Sequence, residues 1–152
     1  MSAEENIKKH NIILPKAPDP VGAYVAAKKS GNLIFISGQV SLGPDGKLIK
    51  GKVGKDLSLE EGKKAARICG LNILSQLKKI CNGNLSSVKS CMKLTGYVNS
   101  TDDFTQQPQV INGASDLISD VFEKTGKHTR AAVSVNSLPL GAAVEVDAIF
   151  EV

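Results

Sequence analysis

The sequence predicts an α+β domain, one mixed sheet with two helices packed on one of its faces. Two long apolar patterns repeat at helical spacing, each with its own start and stop signals. Short segments of period-two alternation lie before, between and after them, and turn residues separate every pair of segments.

Residues 1–16 are polar and read as an N-terminal extension of a single domain spanning 1–152. Ala23 to Lys28 and Leu33 to Gln39 are apolar runs split by Ser30-Gly31-Asn32, the pattern of a hairpin; the second run ends on Ser37-Gly38, where glycine permits a close backbone approach. Gly43-Pro44-Asp45-Gly46 marks a turn. The lysine-rich stretch that follows, to Lys55, is expected to be an exposed connection without chemistry.

Ser58-Leu59-Glu60-Glu61 matches a capping box. Ala65, Ile68, Cys69, Asn72, Ile73, Leu77 and Ile80 then recur at helical spacing until Asn82-Gly83. Val88 to Val98 alternates as a half-buried strand, with Val88, Met92, Leu94 and Val98 on one side. Pro108 can open a second helix, carried by Val110, Ile111, Ala114, Leu117, Ile118, Val121 and Phe122 and stopped by Thr125-Gly126. In the last two strands Ala131, Val133 and Val135 alternate with Arg130, Ala132 and Ser134, and Val144, Val146, Ala148 and Phe150 alternate with Glu145, Asp147 and Ile149. On this pattern Arg130 and Glu145 share the sheet face turned away from the helices, which must meet solvent or another subunit.

Composition narrows the function. Only 4% of residues are aromatic, with no Trp, so platforms for stacking bases are scarce. The formal charge is +4, yet the lysines are dispersed as pairs such as Lys28-Lys29 and Lys78-Lys79; a nucleic-acid partner is not expected. Cys69, Cys81 and Cys91 are an odd number without metal-ligand spacing, and no apolar leader or run of roughly 20 residues is present, so a soluble protein of the reducing cytoplasm is expected, without a membrane partner. No nucleophile triad, phosphate loop, dinucleotide fingerprint or metal-binding motif occurs. Chemistry without a cofactor or metal is what remains.

Arg130 carries a planar donor fork that suits a carboxylate, although for the residue alone a structural salt bridge is the simpler account. Glu145, between two valines, is either a partly desolvated carboxylate able to activate water or an ordinary solvated residue.

His128 to Ile149, with Arg130-Ala131-Ala132, Leu138-Pro139 and Val144-Glu145-Val146, resembles the signature of the Rid (YjgF-type, endoribonuclease L-PSP) family. Ala17-Pro18-Asp19-Pro20-Val21-Gly22-Ala23-Tyr24, Gly31 to Gln39 and Tyr97 to Phe104 are similar to further family segments in the same order, so the likeness spans nearly the whole chain. It implies a chorismate-mutase-like fold, a homotrimer with pockets between subunits, and hydrolytic deamination of 2-imino or enamino acids to 2-keto acids. By the same resemblance Arg130 would clamp the substrate carboxylate and Glu145 would orient water. Ser37 and Gly38 would add polar and backbone groups, Tyr24 and Phe104 would line the pocket from the adjacent subunit, and Asn112 would match a pocket asparagine. Ala132 stands where many deaminating members have Cys, and Ala23 where they have Pro; the extended connection before Ser58 and the longer second-helix region suggest a divergent branch. The alternatives are a module that binds small carboxylates without turnover, or the ribonuclease or translation-inhibitor activity attributed to some relatives.

Overall fold

Ser58 accepts a hydrogen bond from the Glu61 amide at 3.1 Å, and the Glu61 carboxylate accepts one from the Ser58 amide at 3.0 Å. That reciprocal box starts the longest helix of the computed structural model, which describes residues 1–152. In chain order the elements are α1 (Ala3–Lys9), β1 (Ala27–Ser30), β2 (Leu33–Val40), α2 (Leu59–Ile80), β3 (Ser90–Asn99), α3 (Gln107–Phe122), β4 (Thr129–Val135) and β5 (Val144–Glu151). The helix α2 stops where the sequence places its end, at positive-φ Asn82 and Gly83. Replacing Ser58 with Ala should cost about 1 kcal/mol in urea denaturation, since the hydroxyl that accepts from the Glu61 amide is lost.

The sheet has the order β1-β2-β5-β3-β4. Its β3–β4 pair is parallel and the others antiparallel, so α3 is the crossover that a parallel pair requires. Both α2 and α3 cover one face. Every apolar residue expected on α3 is buried, and α2 buries Ala65, Cys69, Ile73 and Leu77 in one core with Val144, Val146 and Phe150 of β5, while its buried Asn72 donates to the Val40 and Leu42 carbonyls.

Four expectations need correction. The N-terminal segment is no loose extension: Ser2 caps α1, Ala3 and Ile12 join the core, and the buried Asn6 amide donates to the Val121 carbonyl at the end of α3. The lysine-rich connection is only partly exposed, because Val53 is wholly buried and bonds the backbone of Asn99 and Thr101. In β3 the pairing slips between Cys91 and Lys93, so Cys91 enters the core and Met92 turns outward, 44% exposed. A bulge of this kind shifts a period-two pattern by one residue. Lastly, α3 ends at Phe122, and residues 123–126 form a separate 3₁₀ turn.

Candidate functional site

The faces of β4 and β5 decide how the ionisable residues are placed. Arg130 pairs with Leu94, a fully buried core residue of β3, so its side chain points toward the helices. Glu145 pairs with Tyr97, which in turn pairs with Val133; this row lies on the opposite face. The expectation that Arg130 and Glu145 share the open face is therefore overturned, and it is Ala131, Val133 and Val135 that turn outward. Alternation along an edge strand made of small and aliphatic residues cannot say which side faces the helices. Two strand spacings of about 4.8 Å and three rises of about 3.3 Å put the two Cα atoms roughly 14 Å apart.

Around Glu145 a first cluster forms. The β2–β5 ladder loses register between Ile36 and Gln39, leaving Ser37 and Gly38 in a bulge beside β5. A Cβ on Gly38 would stand 2.6 Å from Glu145 Oε1, so only glycine lets the carboxylate lie over the bulge. The Ser37 hydroxyl donates to the Val25 carbonyl at 2.7 Å. Tyr24, Ser37, Gly38 and Glu145 line one open, mostly apolar cavity of about 600 Å³, together with Pro20 and Leu140. Burial, and then the neighbouring Asp147, raise the Glu145 pKa above its ordinary 4.5. The sole ion pair in the chain joins the N-terminus to Glu123, so Glu145 has no cation partner.

That shift has a sign. Below about pH 4.5 the folded and unfolded forms are both protonated and nothing is lost. As pH rises from there through the higher folded value, the unfolded chain ionises first and stability falls. Glu145→Gln should therefore be more stable than wild type at pH 7, by up to about 1 kcal/mol after allowing for solvent screening of a half-buried group. Chemical denaturation at the two pH values checks this, with the difference vanishing in acid.

A second cluster surrounds Arg130. Its Nη1 donates to Asn112 Oδ1 at 2.8 Å and to Ser115 Oγ at 3.1 Å, both on α3. Ser115 Oγ is also 2.9 Å from Nε2 of His128, whose Nδ1 is 2.7 Å from the Gly126 carbonyl. Ala132 shares this face, opposite Gly96. No acid meets the guanidinium, which removes the structural salt bridge within the chain. Phe104 joins neither cluster: it packs near Gly54, and its carbonyl takes the Gln107 amide at 2.7 Å.

Sequence reasoning thus singled out Arg130, Asn112 and the Glu145 group but missed Ser115, which belongs to no motif, and gave His128, the first residue of the signature segment, no part in the site. No three His, Cys, Asp or Glu side chains converge as metal ligands. Burial pushes the Cys91 thiol up to about 12 and raises that of Cys69 as well, so neither is a thiolate. No helix is long and apolar enough to cross a membrane.

The family model described as "YjgF/chorismate mutase-like, putative endoribonuclease" matches residues 4–151. The chain belongs to the YjgF/chorismate-mutase-like family. Within the family it is 45% identical to protein TCP17 of Trypanosoma cruzi over 147 residues, 96% of this chain and 91% of that one. It shares 42% identity with Atu1372 of Agrobacterium tumefaciens, a protein of unknown function whose crystal structure superposes with a TM-score of 0.90 over 99% of this chain and 93% of that one. The 2-iminobutanoate/2-iminopropanoate deaminase of Mus musculus is 32% identical over 135 residues, 88% of this chain and 84% of that protein. YjgF-type membership agrees with the resemblance carried by residues 17–39 and 128–149, and with the mixed sheet backed by α2 and α3.

Proposed function

We propose that this chain hydrolyses reactive 2-imino or enamino acids to 2-keto acids and ammonia. One observation carries the reading: Arg130 and Glu145 are half-buried ions, and neither has a counter-ion in the chain. Uncompensated charge of this kind costs folding free energy and marks a place for a ligand. The mouse relative named for this activity supports the choice of ligand.

The chemistry needs few groups. Arg130 binds the substrate carboxylate bidentately, which holds the adjacent imine carbon still. Glu145 takes a proton from a water as its oxygen bonds that carbon and the C=N π bond opens. It returns that proton to the nitrogen, giving a carbinolamine, and then carries the hydroxyl proton to the same nitrogen as the C–N bond breaks, leaving keto acid and ammonia. A carboxylate whose pKa is raised toward neutrality suits both transfers. Ser37, Gly38 and Tyr24 border the reacting carbon, and neither cofactor nor metal takes part.

A roughly 14 Å separation on opposite faces is too large for Arg130 and Glu145 to hold one small acid within a single chain. In this reading a homotrimer closes the site, with Arg130, Asn112 and Ala132 of one copy opposite Tyr24, Ser37, Gly38 and Glu145 of the next. Tyr24 and Glu145 then come from the same subunit, and Phe104 lies aside. The three cysteines, all free, fit a reducing cytoplasm.

The test is to generate 2-iminobutanoate or 2-iminopropanoate in situ with an amino-acid dehydratase or oxidase and follow keto-acid appearance. Acceleration by the purified protein is expected. No acceleration with imines from several parent amino acids overturns the reading; stabilisation by 2-keto acids alone would then identify a carboxylate-binding module.

A further inference from the structure

We infer that Ser115 and His128 are positioning residues, a hydrogen-bonded relay that turns the Arg130 guanidinium so that its Nε–Nη2 edge is presented to an anion. The inference rests on the proposed role of Arg130 for its ligand but not for its geometry.

Donor inventory orders the relay. The Gly126 carbonyl can only accept, so the hydrogen at the 2.7 Å contact belongs to His128 Nδ1. A neutral ring then carries its lone pair on Nε2, and the Ser115 hydroxyl at 2.9 Å must donate to it. With its hydrogen committed, Ser115 Oγ offers only lone pairs, and Arg130 Nη1 donates into one at 3.1 Å. Asn112 Oδ1 takes the other Nη1 hydrogen at 2.8 Å. Both Nη1 donors are thereby used. The three remaining hydrogens, on Nε and Nη2, form the side-on fork that matches a carboxylate.

The environment keeps the ring neutral. Burial lowers the His128 pKa; the Gly126 bond opposes it in part, and the charges of Arg130 and Lys127 add smaller effects in the lowering direction. Neutrality matters because a protonated ring would donate at Nε2 and release the serine hydrogen. Without the histidine acceptor, Ser115 is free to turn its hydroxyl to the carbonyl of Ile111, four residues back on α3, as helical serines commonly do. That rotation carries Oγ away from Arg130. His128 acts only through Ser115, so losing both should cost no more than losing Ser115.

The composition makes this measurable. Arg67 and Arg130 are the only arginines, and His10 and His128 the only histidines. In ¹⁵N-labelled protein the guanidinium region therefore holds two sets of signals, with Arg67 as an internal control. Wild type should show slow rotation about the Cζ–Nη1 bond of Arg130. In Ser115→Ala and in His128→Leu it should be about tenfold faster, the equivalent of one lost bond to a charged group. The double variant should match Ser115→Ala, while His128→Gln, whose amide oxygen can accept from Ser115, and Ser115→Thr should stay near wild type. With imine substrate the two disruptive variants should raise KM about tenfold and leave kcat within about twofold.

Unchanged Arg130 rotation in Ser115→Ala and His128→Leu overturns the relay, and so does an additive double variant. Should His128→Leu not fold, Ser115→Ala against Ser115→Thr still decides whether the serine oxygen holds Arg130, and His128→Gln against wild type decides the histidine. Rotation as expected with no imine turnover sinks the deaminase reading and leaves the relay standing.

Discussion

Arg130→Ala is expected to lower kcat/KM for keto-acid release by about 10²- to 10⁴-fold. A bidentate guanidinium–carboxylate contact comprises two charge-assisted hydrogen bonds of about 1.5–3 kcal/mol each, and each 1.4 kcal/mol is tenfold. Stability should change little, because Arg130 has no ion partner to orphan and the Asn112 and Ser115 oxygens it leaves are only partly buried. Arg130→Lys should recover little, since an ammonium cannot satisfy Asn112 and Ser115 while also forking a carboxylate. The assay is the coupled one described above, with Tm recorded for each variant. Wild-type kinetics in Arg130→Ala would remove this residue from the site.

Gly113→Ala should give the largest loss of stability, about 3 kcal/mol or more by urea unfolding. At an ordinary helix position this substitution stabilises by about 1 kcal/mol, so the sign itself is diagnostic. The reversal follows from packing: a Cβ on Gly113 would lie 2.0 Å from the Lys63 carbonyl oxygen, a backbone atom of α2 that no rotamer change can move. Helices this close have to separate. Because Asn112 and Ser115 flank Gly113 on α3, the same shift should draw their oxygens off Arg130 and raise KM for the imine. A variant of wild-type stability would show that α2 and α3 do not meet here.

Much of the fold is legible because its signals are local. The Ser58 box, the Asn82-Gly83 stop and the seven apolar positions of α3 each report through neighbours within a few residues, and each is found as expected. The β3 slip was not legible: nothing in Cys91-Met92-Lys93 marks which residue the bulge leaves out, and the pairing with β5 decides it. The N-terminal segment was missed for a related reason. Its hydrophilic composition conceals a capped helix whose few buried residues find their places only against α3 and the rest of the core.

By itself the sequence determined the class of fold, the family, and the residue types able to carry chemistry, since helix periodicity, capping and linear motifs are properties of adjacent residues. Only the tertiary structure decided that Arg130 and Glu145 stand on opposite faces in separate clusters, and that Ser115 and His128 meet the guanidinium. Register between strands and the seating of α3 on β4 are set by contacts between segments distant along the chain. A period-two pattern records that a strand has two sides, and packing alone assigns each side to a helix layer or to the open face.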